Sequence, residues 1–473
     1  MSRPMTLHPD RLFPADTATR EVTRRLYEQV KDLPIISPHG HVPPAWIADD
    51  IPFTDPTSLL ITPDHYVNRL MHASGVSLGD LGVGRGPDNP LTEAESRRAF
   101  RLLCEHWPAY RGTPVRYWLQ SEFVDIFGLD VTPSAQTADS IYDTIAAWIA
   151  QDSSKPRALM NSFDIEVMAT TDDPCDDLDA HARIAADTSF TRRVLPTFRP
   201  DKYLEPARPD WNESTDRLAD ISGVACDTYA GWVAAMENRR AFFKEHGAVS
   251  SDHSHRDLRT DRLEDGEAER IYAAARAGTV STEDATRLRR HMVFEMARMA
   301  TEDGLTMTLH PAVWRDHHTG TTAEYGHDVG CDIPIAVEAT DGLQPVLSAF
   351  GTHPNFTLVV FTMDETVYSR ELAPLAGFYP SVYIGVPWWF LDAPDAIRRF
   401  QRAATETAGF SRTSGFIDDT RAFCSIPARH DMSRRLDAGH LAQLVLEHRL
   451  EEGEAAEVIV QLVAQNPRKV FQL

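Results

Sequence analysis

The chain has 473 residues, 42% hydrophobic and 25% charged, the composition of an ordinary globular protein with ample core. Its 70 acidic residues against 47 basic ones give a net charge of −23, which argues against a nucleic acid or an anionic membrane surface as the main partner. Five scattered cysteines argue against a disulfide framework or a cysteine-built zinc site and fit a reducing cytoplasm. The N-terminal stretch lacks the apolar core of a signal peptide, and no apolar run reaches the length of a membrane span.

Residues 17–31 have apolar positions at helical spacing, with Thr17 or Thr19 as the cap. Leu33-Pro34 leads into an opening strand, Ile35-Ile36-Ser37-Pro38-His39-Gly40-His41. Alternation along a strand puts His39 and His41 on one face. Two imidazoles side by side at a strand end are half of a metal site. Val42-Pro43-Pro44 then forces an extended exit.

Residues 42–159 read as helices and loops, with helical patches at 65–76, 92–107, 115–128 and 138–152. The glycine-rich stretch 79–90 separates the first two. Its Gly82-Val83-Gly84-Arg85-Gly86 core looks like a phosphate-loop fragment, but it has neither the lysine nor a strand before it, and reads as a linker.

From residue 160 the pattern becomes strand, loop, helix, repeated. Strands are expected at 165–171, 194–198, 247–251, 306–310, 356–362, 382–386 and 414–418, with helical patterns between most of them. With the opening strand this makes eight. The expected fold is α/β, a (β/α)8 TIM-type barrel formed by residues 1–41 and 160–473, with 42–159 as a large helical insertion after strand one. An open doubly wound sheet is the weaker alternative, because no glycine-rich dinucleotide turn follows any strand.

In such a barrel the chemistry lies at the carboxyl ends of the strands. Those ends carry His39 and His41, Thr170 to Pro174, Arg199 to Lys202, Asp252-His253, His310 with Trp314 to Asp316, Pro387 to Phe390, and Asp418 to Arg421. His39, His41, His310 and a strand-eight carboxylate form a candidate metal set with one position open, and His310 is alternatively a substrate contact beside the ion. Ligands for a second ion are short, so one ion is expected. Arg199, Arg315 and Arg421 can fork onto a carboxylate or phosphate, and Trp388-Trp389 can wall the pocket.

These residues fall into motifs that run through the whole chain. Leu33 to Val42 is similar to a P-I-x-D-x-H-x-H-L opening, with Ser37-Pro38 at the aspartate. Asp64-His65-Tyr66, Thr170-Thr171-Asp172-Asp173-Pro174, Arg199-Pro200-Asp201-Lys202, Ser251-Asp252-His253, Leu309-His310 and Trp388-Trp389-Phe390 follow. The block from Asp419 to Arg435 and the ending from Asn466 to Phe471 complete the set. Together they resemble the uronate isomerase (glucuronate isomerase) family of the amidohydrolase superfamily.

The resemblance implies interconversion of a hexuronate and its 2-keto isomer, glucuronate with fructuronate or galacturonate with tagaturonate, by C2-to-C1 proton transfer through an enediol. It implies Asp419 as the base, with Tyr66 as a proton-handling partner and His65 nearby. Arg199, Arg421, His310, Arg315, Trp388 and Trp389 are the expected substrate contacts, and His39, His41 and Asp419 the metal ligands. One divalent ion is expected: zinc, with manganese or iron as alternatives. A small anionic sugar acid, a homo-oligomer and a cytoplasmic setting complete the expectation. An isomerase or epimerase of a related sugar acid, and a metal-dependent hydrolase, stand as alternatives.

Overall fold

Parallel strands set the frame in the computed structural model, which describes residues 4–86 and 88–473. They are Ile35–Ser37, Ile165–Ala169, Arg193–Leu195 continued by Thr197–Phe198, Ser250–His253, Thr306–Leu309, Leu358–Val360 and Val382–Ile384. Each pairs in parallel with the next. The ladder is interrupted once, at Pro196, which has no N–H to give. Asp172 spans that seam: its N–H donates to the Thr197 carbonyl at 3.0 Å, and its own carbonyl accepts from Arg199 N–H at 3.0 Å.

The eighth member differs from its expectation. Residues 414–418 form no regular strand; the segment bridges the seventh strand at Thr413–Ile384, and Ser414 N–H donates to the Ile384 carbonyl at 3.0 Å. Gly415 at φ 75° turns the backbone out of the extended region immediately afterwards. At its far end His41 N–H donates to the Thr420 carbonyl at 3.0 Å, and the ring is closed. The fold is a (β/α)8 barrel. The strands from Ser250, Thr306, Leu358 and Val382 are buried at every position, as strands roofed by crossover helices must be.

The first helix, Thr17–Glu28, is capped one residue earlier than expected. Asp16, not Thr17 or Thr19, accepts the Thr19 N–H at 2.8 Å, since an ionised carboxylate is the stronger acceptor available. Its Val22 and Leu26 pack against Ala438, Leu441 and Ala442 of the helix Ile426–Leu446.

Between the first two strands lie the helices Pro44–Asp49, Pro56–Leu60, His65–Ala73, Glu93–Glu105, Pro114–Ser121, Ala138–Ile149 and Pro156–Ser162. Their apolar faces, Val67, Phe100, Leu103, Trp118 and Ile145 among them, join the same continuous core as the barrel.

A second excursion, after the strand ending at Leu309, matches no element of the sequence reading. Val313–Trp314 pairs antiparallel with Ile333–Pro334, and between them run a helix, Thr319–Tyr325, and a loop back over the barrel mouth. Two-residue strands and a seven-residue helix are too short to leave a periodic signal. Among the described residues no helix is long and apolar enough to cross a membrane, and all five cysteines are free thiols.

Candidate active site

His39 and His41 do not lie on the strand. It stops at Ser37, and both sit on the irregular exit beyond it, so alternation is not what aims them. Their rings stand at 85° with centroids 5.4 Å apart. Both Nε2 atoms turn toward Asp419 Oδ1, at 3.3 Å from His39 and 2.8 Å from His41. Asp419 reaches them from a left-handed backbone, φ 41°, a conformation that a non-glycine residue keeps only where its surroundings hold it.

Neither contact has the alignment of an N–H···O hydrogen bond. Among the described residues, Asp419 Oδ1 is a buried oxygen without a hydrogen-bond partner. Two imidazole nitrogens and a carboxylate oxygen are the donor types of a divalent-metal site, and in a tetrahedral site such donors lie about 3.3 Å apart. The three groups fit a divalent ion. Burial pulls His41 down to about 4, against the opposing pull of Asp419. Burial opposes charge on Asp419 as well, but His41 and His39 outweigh it and hold the carboxyl well below the usual range. For His39 too the burial effect is overcome, by Asp252 and Asp419, which raise it.

His39, Asp252 and His310 form a second compact group. Here the carboxylate is already engaged. Asp252 Oδ1 lies 2.5 Å from His310 Nδ1 and accepts from Thr308 Oγ1 at 2.8 Å, while Arg199 Nε stands 3.6 Å from Oδ2. With Nδ1–H donating to Asp252, Nε2 is left over, and among the described residues it has no hydrogen-bond partner. The ring is clamped between Phe361 at 4.3 Å and His39 at 4.7 Å, with Trp388 edge-on at 4.8 Å.

Three guanidinium groups face this centre. Arg199 is fixed by Asp201 at 2.9 Å. Arg315 donates to Ser254 Oγ at 2.8 Å and lies 5.7 Å from the ring centroid of Trp389. Arg421 pairs with Asp328 of the rim excursion, and Arg315 stands 3.8 Å from the other oxygen of the same carboxylate. Burial, and after it repulsion by Arg199 and then by Arg315, lowers Arg421; burial and then Arg199 lower Arg315. Such crowding of like charge favours an anion at this spot.

The helices between strands one and two supply the remaining wall. Asp64 caps the helix His65–Ala73, accepting from Tyr66 N–H at 2.8 Å, and so presents His65 and Tyr66 at its first turn. Burial and then Arg421 draw His65 down to about 3, so its ring is neutral. Burial drives the Tyr66 phenol above its ordinary value, so its proton stays on. The fully buried Arg429 lies over the Tyr66 ring at 4.7 Å and the Trp118 ring at 3.6 Å, tied to Asp392 at 2.9 Å and Ser425 Oγ at 2.9 Å.

Every residue given a catalytic, substrate or metal role in the sequence lines this one cleft: His39, His41, His65, Tyr66, Arg199, His310, Arg315, Trp388, Trp389, Asp419 and Arg421. Asp252, named at its strand end, was given no role, and neither were Asp328 and Arg429. Asp252 had a signal, since it stands beside His253 at a strand end; it is Asp252 that faces the cleft, while His253 turns to the Thr308 carbonyl at 3.2 Å. Arg429 is legible only as part of a motif, and Asp328 in a loop carries no local pattern.

A barrel with a histidine–carboxylate centre at its strand ends and a wall of arginines defines an enzyme of small anionic substrates. Comparison with known proteins narrows this. Residues 14–471 match the family model described as glucuronate isomerase. A uronate isomerase of Cutibacterium acnes is 59% identical over the full length of both chains. The crystal structure of glucuronate isomerase from Caulobacter crescentus superposes with a TM-score of 0.96 at 44% identity, covering 99% of this chain and 98% of that one. That of uronate isomerase from Thermotoga maritima gives 0.91 at 25% identity, covering 99% and 100%. The chain belongs to the glucuronate isomerase family.

Proposed function

We propose that the chain interconverts a hexuronate and its 2-keto isomer, glucuronate with fructuronate or galacturonate with tagaturonate. The observation that carries this reading is the convergence of His39, His41 and Asp419 opposite Arg199, Arg315 and Arg421 across one cleft. Full-length membership of the glucuronate isomerase family supports it.

The isomerisation moves one proton from C2 to C1 of the open-chain sugar and one from O2 to O1, with an enediol between. Arg421 and Arg315 hold the carboxylate by charge-assisted hydrogen bonds, and Arg199 takes sugar oxygens. Trp388 and Trp389 wall the chain of carbons. His39, His41 and Asp419 would hold a divalent ion, zinc with manganese or iron as alternatives, which would supply Lewis acidity at the sugar oxygens. Asp419 is the base that removes the C2 proton and returns it at C1. Tyr66 keeps its phenolic proton and is placed to donate it to a sugar oxygen. His65, kept neutral by burial, and His310, through Nε2, orient the hydroxyls.

Residues 42–159 act in this reading as an inserted helical subdomain that brings His65 and Tyr66 to the barrel formed by 1–41 and 160–473. The cytoplasmic setting rests on the free thiols. A homo-oligomer is the expected assembly, read by light scattering on the purified protein.

The test is to incubate the protein with glucuronate and galacturonate, with and without chelator, and follow ketose formation. Chelator-sensitive appearance of the ketose is expected. No turnover of any uronate, together with hydrolysis of a lactone, overturns the reading.

A further inference from the structure

Asp328 projects its carboxylate onto the two arginines that the proposed function assigns to the substrate carboxylate. It pairs with Arg421, and its other oxygen stands 3.8 Å from Arg315. A guanidinium has a limited set of N–H donors, so a second carboxylate in this place must displace the first. The Asp328 side chain is 38% exposed, which leaves it a route outward.

The segment carrying Asp328 is built to hold that position without being part of the barrel. It is tied down at its base by the ribbon of Val313–Trp314 and Ile333–Pro334. Its far end leans on the helices between strands one and two. A Cβ on Gly84 would come within 3.1 Å of the Tyr325 backbone, and one on Gly330 within 3.1 Å of His65 Cβ. The Gly82-Val83-Gly84-Arg85-Gly86 stretch thus has a packing role against Tyr325. Between these anchors the backbone is strained, with positive φ at Asp316 and Asp328. Anchored ends and a strained middle suit a strap with two positions.

We propose that Asp328 is a specificity-determining residue: an internal carboxylate that occupies Arg421 and Arg315 and yields only to a ligand bearing its own carboxylate. A neutral sugar of the same length brings nothing to compensate the broken ion pair, so it leaves the strap in place. A sugar acid exchanges one carboxylate for another and seats itself opposite His39, His41 and Asp419. This rests on the assignment of Arg421 and Arg315 to the substrate carboxylate.

The test compares binding of a hexonate, which has the carboxylate but no reducing end and cannot isomerise, with that of the matching neutral hexitol. Titration calorimetry on the whole protein and on the variants D328N and D328E reads both. D328N is expected to bind the hexonate about fivefold more tightly, the worth of one half-exposed ion pair, with D328E returning toward the parent. Unchanged or weaker hexonate binding by D328N, or D328E tracking D328N, overturns the proposal. Hydrogen exchange on the unaltered protein gives a measurement independent of variant folding. Amides in 315–332 should change protection with hexonate and not with hexitol, and no difference between the two also overturns the proposal. If uronate turnover is absent from the parent protein, it is the proposed function that fails; if turnover stands while these readouts stay flat, it is the role of Asp328.

Discussion

His310 Nδ1–H donates to Asp252 Oδ1 across 2.5 Å, and this single contact fixes which nitrogen of the imidazole meets the cleft. Asp252 is buried and held well below the usual carboxylate range: His310 and His39 outweigh the opposing effect of burial, so it remains an acceptor throughout the neutral range. D252N would offer an amide that need not accept, freeing the ring to turn or change tautomer. A fall of about 10- to 100-fold in kcat/KM is expected, the usual effect of removing such an orienting partner. Steady-state kinetics with D252N and H310N side by side check it. Equal losses in the two, non-additive in the double variant, are the signature of one functional unit.

The metal set makes a stoichiometric prediction. H41A and D419N should each lower the bound divalent ion per chain and lower the melting temperature of metal-loaded protein, since binding to the folded state alone adds stability. Elemental analysis after gel filtration, paired with thermal melts with and without chelator, measures both. Full metal content in both variants would remove His41 and Asp419 from the ligand set.

Arg421 should separate binding from chemistry. R421M removes the guanidinium and leaves Asp328 without its main partner. KM for a uronate is expected to rise about 30-fold, the equivalent of roughly 2 kcal/mol, with a smaller change in kcat. Variation of KM with salt should flatten at the same time, because one charge of the steering field is gone. A loss confined to kcat would instead place Arg421 at the reacting carbons.

Arg429 is the stability counterpart. It is fully buried, paired with Asp392 and stacked on Trp118 and Tyr66. R429M strands the Asp392 carboxyl in the interior, and a broken buried pair of this kind costs about 3–5 kcal/mol. Denaturant unfolding reads the loss. R429K keeps the charge but not the planar stack, and should recover stability only in part.

Asp172 gives the pH dependence. Burial pushes its carboxyl up to about 7, against the opposing hydrogen bonds from Thr170 and Thr197 N–H. In the unfolded chain an aspartate titrates near about 4. Between those values the folded state binds the extra proton, so stability falls as pH rises from about 4 to about 7. D172N cannot titrate and should show a shallower decline over this window. Unfolding midpoints at half-unit pH steps for the two proteins decide it; identical slopes would mean that Asp172 is ionised in the fold.

Much of the barrel is legible in the sequence because its strands are short, apolar and separated by amphipathic helices, and these signals are local. Its last member was harder. Residues 414–418 look like a strand by composition, yet Gly415 bends them away and only the ends pair. The cap of the first helix fell on Asp16 because capping is decided by one side-chain hydrogen bond, one position before Thr17 and three before Thr19.

For the site, the strand-end rule finds His39, His41, His310, Arg199 and Asp419 because the fold itself carries them to the mouth. It finds them for a slightly different reason than expected, since both histidines follow the strand and are aimed by their exit path. Asp328 escapes any such rule. Its place depends on a rim segment held by Gly84 and Gly330 against distant residues, and nothing within its own neighbourhood encodes that.

The bond from His41 N–H to the Thr420 carbonyl joins the first member of the ring to the last. The donors of the centre therefore come from opposite ends of the chain, and nearly all of it must be made and folded before they meet. A nascent chain on the ribosome that has not yet emerged past Asp419 lacks the carboxylate that completes the proposed set of His39, His41 and Asp419. On the proposed ligand set, tight loading of the ion would mark a finished ring.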